Sequence, residues 1–252
     1  MSCSSPSISL HRFQWSAGVP AELSVSADEI HVWIQGTSRP PGEVESFRAL
    51  LSGDELARAE RFRFERDRAE YIVSRGTLRT LLASYVASPP RDLHFEYSEY
   101  GRPSLPLPST QRTLEFNVAH SGEVVLLVFA YDRRIGIDVE KVRRDFQTSE
   151  VAERFFSAAE REALRRLPEQ DRHEAFFRCW TRKEALIKAL GEGLSHPLHQ
   201  FDVNLTPNEP AKLLATRPDP DEVQRWMLWD IRVAGDYAAA LAAETGPQRP
   251  HR

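Results

Sequence analysis

The chain has 252 residues, 41% of them hydrophobic and 28% charged, a balance that excludes a disordered, collagen-like or coiled-coil protein. With 33 Lys+Arg against 37 Asp+Glu the net charge is −4, so no global field draws the chain to nucleic acid or to an acidic membrane surface, and any phosphate must be held locally. Cys3 and Cys179 are too few for a disulfide framework or a zinc site, no signal-peptide core stands in Met1 to Phe13, and no apolar run reaches membrane-span length, so a cytoplasmic protein is expected.

Residues 1 to 27 carry Ser, Pro and Gly without a steady period and read as a loosely structured arm. His31 to Ile34 is a strand candidate. Pro40, Pro41 and Gly42 precede a short helix at Val44 to Leu51, and Ser52 with Glu55 makes a capping box for another. A long helix is expected from Asp67 to Val86, stopped by Pro89 and Pro90. Leu93 to Tyr97 alternates as a strand, Tyr100-Gly101-Arg102-Pro103 is turn chemistry, and Leu105 to Pro108 is loop.

Three strands follow at Leu114 to Val118, Val124 to Tyr131 and Ile135 to Val139. Helices resume at Val151 to Phe156, at Ala158 to Leu167 after Ser157 with Glu160, and at Glu169 to Leu190, ended by Gly191. Strands at Phe201 to Val203, Lys212 to Leu214, Trp226 to Val233 and Tyr237 to Leu241 close the fold. Helices then strands, twice over, predict an α+β protein of two similar halves, 1–134 and 135–243, with a polar tail at 244–252.

Three segments carry chemistry. In Gly136-Ile137-Asp138-Val139-Glu140-Lys141, strand alternation puts Asp138 and Glu140 on one face and Ile137 and Val139 toward the core. Two carboxylates side by side repel unless a cation sits between them, and an oxygen-only set suits Mg²⁺. The solvated face of an edge strand would look the same. In Trp180-Thr181-Arg182-Lys183-Glu184-Ala185-Leu186-Ile187-Lys188, Trp180, Glu184 and Lys188 form one helical stripe, a half-buried acid and lysine that want a ligand. Asn117-Val118-Ala119-His120-Ser121-Gly122 ends a strand with groups able to hydrogen-bond phosphate, or simply with a histidine in a turn. The chain holds only four lysines, Lys141, Lys183, Lys188 and Lys212, two of them in the helical segment. A compact, freely rotating ammonium is wanted where arginine is otherwise the rule.

Together these segments resemble the Sfp-type 4′-phosphopantetheinyl transferases, whose signatures are a G-[IV]-D-x-E strand, a W-[ST]-x-K-E-[AS]-x-x-K helix and an N-[IV]-S-H-S element before them. The resemblance covers roughly Phe62 to Val203. It implies two half-domains in a pseudo-twofold arrangement, a monomer, and transfer of phosphopantetheine from coenzyme A to a serine of an apo acyl or peptidyl carrier protein, releasing 3′,5′-ADP. It places Mg²⁺, or Mn²⁺, on Asp138, Glu140 and Glu184, and Glu160 near that site. Lys183 and Lys188 fall on phosphate contacts, His120 and Ser121 beside the 3′-phosphate, Gly101, Arg102 and Pro103 beside the adenine, and Arg75 and Arg79 on a basic arm. Glu184 is the expected base for the carrier serine, and Lys188 the cation for the departing 3′,5′-ADP. Arg143, Arg144, Arg154, Phe146 and Phe155, between Val142 and Phe156, form the expected carrier surface. Two departures stand out: Ala119 where relatives carry serine, and Arg102 for a common lysine. Ala119 leaves room for an alternative, a non-catalytic module that binds coenzyme A or a carrier protein. A phosphate-loop enzyme or serine hydrolase is excluded by the lack of G-x-x-x-x-G-K-[ST] and G-x-S-x-G.

Overall fold

The computed structural model describes residues 6–13, 22–106, 112–191, 197–217 and 219–246. The chain runs β1 (Ser7–Arg12), β2 (Glu29–Gly36), α1 (Pro41–Arg48), α2 (Gly53–Ala59), α3 (Glu65–Val86), β3 (Glu96–Tyr97), β4 (Pro103–Ser104), β5 (Leu114–Ser121) and β6 (Val124–Tyr131). It continues through β7 (Ile135–Lys141), α4 (Thr148–Phe155), α5 (Ala158–Arg166), α6 (Glu169–Leu190), β8 (Phe201–Val203), β9 (Leu213–Thr216), β10 (Trp226–Asp230) and β11 (Tyr237–Glu244). The fold is mixed α/β. From β2 onward one order occurs twice: a strand, two short helices, a 22-residue helix, a small hairpin, and a longer hairpin that returns to the first strand.

The sheets repeat the plan. One has the order β1-β2-β6-β5 and the other β10-β11-β7, so each first strand pairs with the second strand of its hairpin. Alternation along the strands sorts the core into three layers. Outer faces pack on the long helices: Phe116, Leu127 and Phe129 with α3, Ala240 and Ala242 with α6. Inner faces meet in a shared cluster that includes Ile30, Val32, Leu126, Val128, Ile135, Ile137, Val139 and Leu241. Across the seam, side chains replace a backbone ladder. Asn117 Oδ1 accepts from the Ile137 amide at 3.0 Å and Ser121 Oγ from the Lys141 amide at 3.0 Å, which fixes β5 against β7.

The helix caps repeat as well. The Ser52 amide donates to Glu55 Oε2 at 3.0 Å, and the Ser157 amide to Glu160 Oε2 at 2.9 Å. Each cap glutamate then reaches the fifteenth residue of the long helix, Glu55 to Arg79 Nε at 2.6 Å and Glu160 to Lys183 Nζ at 2.6 Å. Both pairs are buried struts between a short helix and a long one.

Two expectations are corrected. The first 27 residues are not merely a loose arm, because Ser7–Arg12 forms an edge strand parallel to β2. The partner that orders it lies 22 residues on, beyond any local signal. The polar tail begins later than Glu244, which belongs to β11 and accepts from Arg134 at 3.0 Å and Arg225 at 2.9 Å. Residues 247–252, and residues 107–108 of the expected loop, lie outside the described residues. No helix among the described residues is long and apolar enough to cross a membrane.

Candidate active site

Gly136 decides how close α6 lies to β7. A Cβ there would stand 2.2 Å from the Ala185 carbonyl oxygen and 2.3 Å from the Ala189 nitrogen, so only glycine lets the helix backbone rest on the strand. Ala238, Ala240 and Ala242 on neighbouring β11 give the rest of that floor small side chains. In the first half, His31 and Trp33 occupy the outer face of β2, and both reach the Tyr85 hydroxyl of α3 through hydrogen bonds of 2.6 and 3.0 Å. Bulky side chains thus fill the space beneath α3, whereas the second half brings helix to strand directly.

This close approach puts Asp138 under α6 instead of on a solvated face. Lys188 Nζ donates to Asp138 Oδ1 at 2.7 Å. Burial pushes the Asp138 carboxyl up to about 6 against the pull of Lys188, with Glu140 adding repulsion. Glu184 rises to about 7, through burial first and then repulsion from Asp138 and Glu140. Asp138 Oδ2 and Glu184 Oε1 are buried without a hydrogen-bond partner. Glu140, half-buried, accepts from Ser121 Oγ at 2.9 Å.

Among the described residues no three acids or histidines already converge into a cation cage. The reason is visible in the pairing: the Lys188 ammonium holds Asp138, and Glu140 is turned toward Ser121. Even so, the donor set fits a hard divalent cation. It is all oxygen, two of its buried oxygens are unpartnered, and burial together with mutual repulsion holds the Asp138 and Glu184 carboxyls high.

His120 is exposed at the end of β5, within the field of Glu70 on α3. Ala119, one residue earlier, points the other way and is 3% exposed in the inter-sheet cluster. Strand alternation places its Cβ away from the exposed face of His120, so the missing serine hydroxyl does not leave a gap beside His120.

Several expected contacts are placed elsewhere. Lys183 has no exposed side-chain surface, and its ammonium donates to Glu160 Oε1 at 2.6 Å and to the Phe201 carbonyl at 2.7 Å. It therefore cannot meet a phosphate from solvent. Glu160, whose oxygens also take the Ser157 and Val203 amides, is bound into the cap of α5 and not turned toward Asp138. Arg79 is buried between Glu55 and the carbonyls of Pro90 and Leu93. Arg75 is held by Glu55 and the Tyr97 hydroxyl, over the ring of Phe95. The Arg102 guanidinium turns to α6 and not to the open side of its turn.

On the expected carrier surface, Arg143, Arg144 and Arg154 are exposed. Phe146 and Phe155 are half-buried, packed on Phe176 and Phe177 and on Trp180, because the aromatic cluster of α6 needs a cover on that side. The Gly101 to Pro103 turn is open, with Gly101 at φ +77°. Sequence reasoning missed Arg182, buried and clasping Asp230 at 2.9 and 2.7 Å, and Glu115, the partner of Arg102.

The model of the 4′-phosphopantetheinyl transferase superfamily matches residues 134–242, and that of the 4′-phosphopantetheinyl transferase N-terminal region matches residues 40–131. A 4′-phosphopantetheinyl transferase of Nostoc sp., HetI, is 38% identical over 227 residues, 90% of this chain and 92% of its own. This chain belongs to the 4′-phosphopantetheinyl transferase superfamily. It is a transferase. The Bacillus subtilis transferase Sfp is 32% identical over 164 residues, 65% of this chain and 70% of its own. A holo-[acyl-carrier-protein] synthase structure from Thermotoga maritima covers 44% of this chain and 62% of its own, at 26% identity and a TM-score of 0.37.

Proposed function

We infer that Asp138, Glu140, Glu184, Lys188 and His120 are the working set of this transferase. The chain moves the 4′-phosphopantetheine of coenzyme A to a serine of an apo carrier protein, releasing 3′,5′-ADP. The observation that carries the assignment of residues is the pair of unpartnered buried carboxylate oxygens, Asp138 Oδ2 and Glu184 Oε1, beside the Lys188 ammonium.

Asp138, Glu140 and Glu184 would hold Mg²⁺ or Mn²⁺, which would supply positive charge to the diphosphate of coenzyme A as the anhydride bond between its two phosphorus atoms breaks and the pantetheine-side phosphoryl group passes to the serine. Lys188 is released from Asp138 toward the same diphosphate, where a mobile ammonium follows the growing charge better than a fixed fork. Glu184, beside that set, takes the proton of the carrier serine. His120 meets the 3′-phosphate and the Gly101 to Pro103 turn lies beside the adenine. Ser121 orients Glu140 and is not itself a ligand group.

The first half, 1–134, takes the nucleotide and the second, 135–243, the cation and the carrier. Because one chain contains both, a monomer suffices. Exposed Arg143, Arg144 and Arg154 offer an acidic carrier a local basic patch on a chain of net charge −4. Cys179, buried and unpaired, fits a reducing cytoplasm.

The test is Glu184→Gln, assayed for coenzyme A binding by calorimetry and for transfer to an apo carrier in a single turnover. The reading expects binding to persist and transfer to fall by roughly 10²-fold or more. Full turnover in a variant that binds coenzyme A normally would remove Glu184 as base.

A further inference from the structure

The resemblance puts Arg102 beside the adenine, yet its guanidinium is committed to protein on three sides. Nη1 donates to the Lys188 carbonyl at 2.9 Å, and Nη2 to Glu115 Oε2 at 3.0 Å and to the Ile135 carbonyl at 3.3 Å. The three acceptors lie on α6, β5 and β7. They converge where the helix rests on the strand, since Ile135 precedes Gly136 and Lys188 lies within the Gly136 contact.

The Lys188 carbonyl is one of the last four of α6, which have no partner inside the helix. The Gly191 amide closes the Ile187 carbonyl at 3.0 Å, with Gly191 at φ +78°, and the Lys188 carbonyl takes Arg102. A cation at that end also meets the negative pole of the helix. At its other end, Arg102 is part of a tight turn. Its carbonyl accepts from the Ser98 amide at 2.9 Å, and its amide donates to Ser98 Oγ at 3.1 Å.

We propose that Arg102 is a positioning residue that pins the last turn of α6 to β5 and β7 and thereby sets the ammonium of Lys188 against Asp138. The inference rests on the transferase reading of Lys188, and it makes the nucleotide turn and the catalytic helix one mechanical unit. Arginine suits the task because a planar fork reaches separated acceptors at once, which a lysine at this position could not match. With its guanidinium engaged by these three acceptors, Arg102 acts through Lys188 and not on the reacting atoms.

The test compares Arg102→Ala, Arg102→Lys and Glu115→Gln with the wild type. The measurements are kcat and KM for coenzyme A, coenzyme A affinity by calorimetry, and amide exchange across residues 185–191. Arg102→Ala should lose roughly 10-fold or more in kcat, the scale of an ångström-sized misplacement, with coenzyme A affinity held within about threefold. Exchange in the last turn of α6 should accelerate. Arg102→Lys should recover part of the loss, and Glu115→Gln should reproduce part of it without altering the turn.

A kcat per folded molecule equal to wild type would overturn the proposal, leaving a purely structural role. Weakened coenzyme A binding with kcat intact would also overturn it, in favour of a ligand contact. If the wild type transfers nothing, the transferase reading fails by itself, and unchanged exchange at 185–191 in Arg102→Ala would separately refute the clamp. Should Arg102→Ala not fold, Glu115→Gln decides by the same readouts.

Discussion

Gly136→Ala should be far more damaging than one methyl group suggests. The added Cβ would lie 2.2 Å from the Ala185 carbonyl oxygen, 2.3 Å from the Ala189 nitrogen and 2.9 Å from the Lys188 carbonyl carbon, all backbone atoms of α6. Ordinary contact needs more than 3.4 Å, so the helix must retreat by over an ångström; no rotamer change can relieve it. Overpacking a core costs about 1–3 kcal/mol when side chains can adjust, and a rigid helix backbone puts this case at or above the upper end. At about 2–4 °C per kcal/mol for a chain this size, melting should fall by roughly 10 °C. The retreat also pulls Lys188 from its 2.7 Å contact with Asp138, and transfer should fall by about 10²-fold in the protein that remains folded. Thermal melting and single-turnover transfer measure both. Gly42→Ala, at a helix start with nothing within 4 Å, is the control and should be neutral. A Gly136→Ala protein that melts within about 2 °C of wild type and turns over normally would refute the reasoning.

Lys183→Met should destabilise by about 3–5 kcal/mol, because it leaves Glu160 charged and buried. The folded fraction should bind coenzyme A as wild type, and selective loss of that affinity would restore Lys183 to the phosphate site. The raised carboxyls of Asp138 (about 6 against 3.8) and Glu184 (about 7 against 4.5) mean that the native state binds more protons than the unfolded one between roughly pH 4 and 7. Stability without a cation should therefore fall as pH rises through that window and then level off. The fall should be missing in an Asp138→Asn, Glu184→Gln double variant, and the stabilisation given by Mg²⁺ should grow over the same range. Melting curves from pH 4 to 8 on both proteins check the sign, and parallel profiles would contradict it.

Much of the scaffold was legible because it is written in local chemistry. Glu169 to Leu190 and Phe201 to Val203 were read with their observed bounds, and the two capping boxes and Gly191 mark real helix ends. The duplicated order of elements followed from those boundaries. The edge strand Ser7–Arg12 did not, since its hydrogen bonds depend on a parallel partner. Within the site, the motif residues Asp138, Glu184 and Lys188 are brought together, but the family resemblance carried Lys183 and Glu160 along with them. A signal against Lys183 was available: it stands one residue, about 100° of helix, off the Trp180, Glu184, Lys188 stripe. Alternation likewise could have turned Ala119 inward once His120 was read as outward. The Arg102 clamp had no such signal, as two of its three acceptors are backbone carbonyls on distant elements.

The most direct test of the account is the intact mass of an apo carrier protein after incubation with this chain, coenzyme A and Mg²⁺, beside an Asp138→Ala control. The account expects the carrier to gain one phosphopantetheine with the wild type and none with the variant. No gain with several unrelated carriers despite measurable coenzyme A binding, or an equal gain with Asp138→Ala, would contradict it.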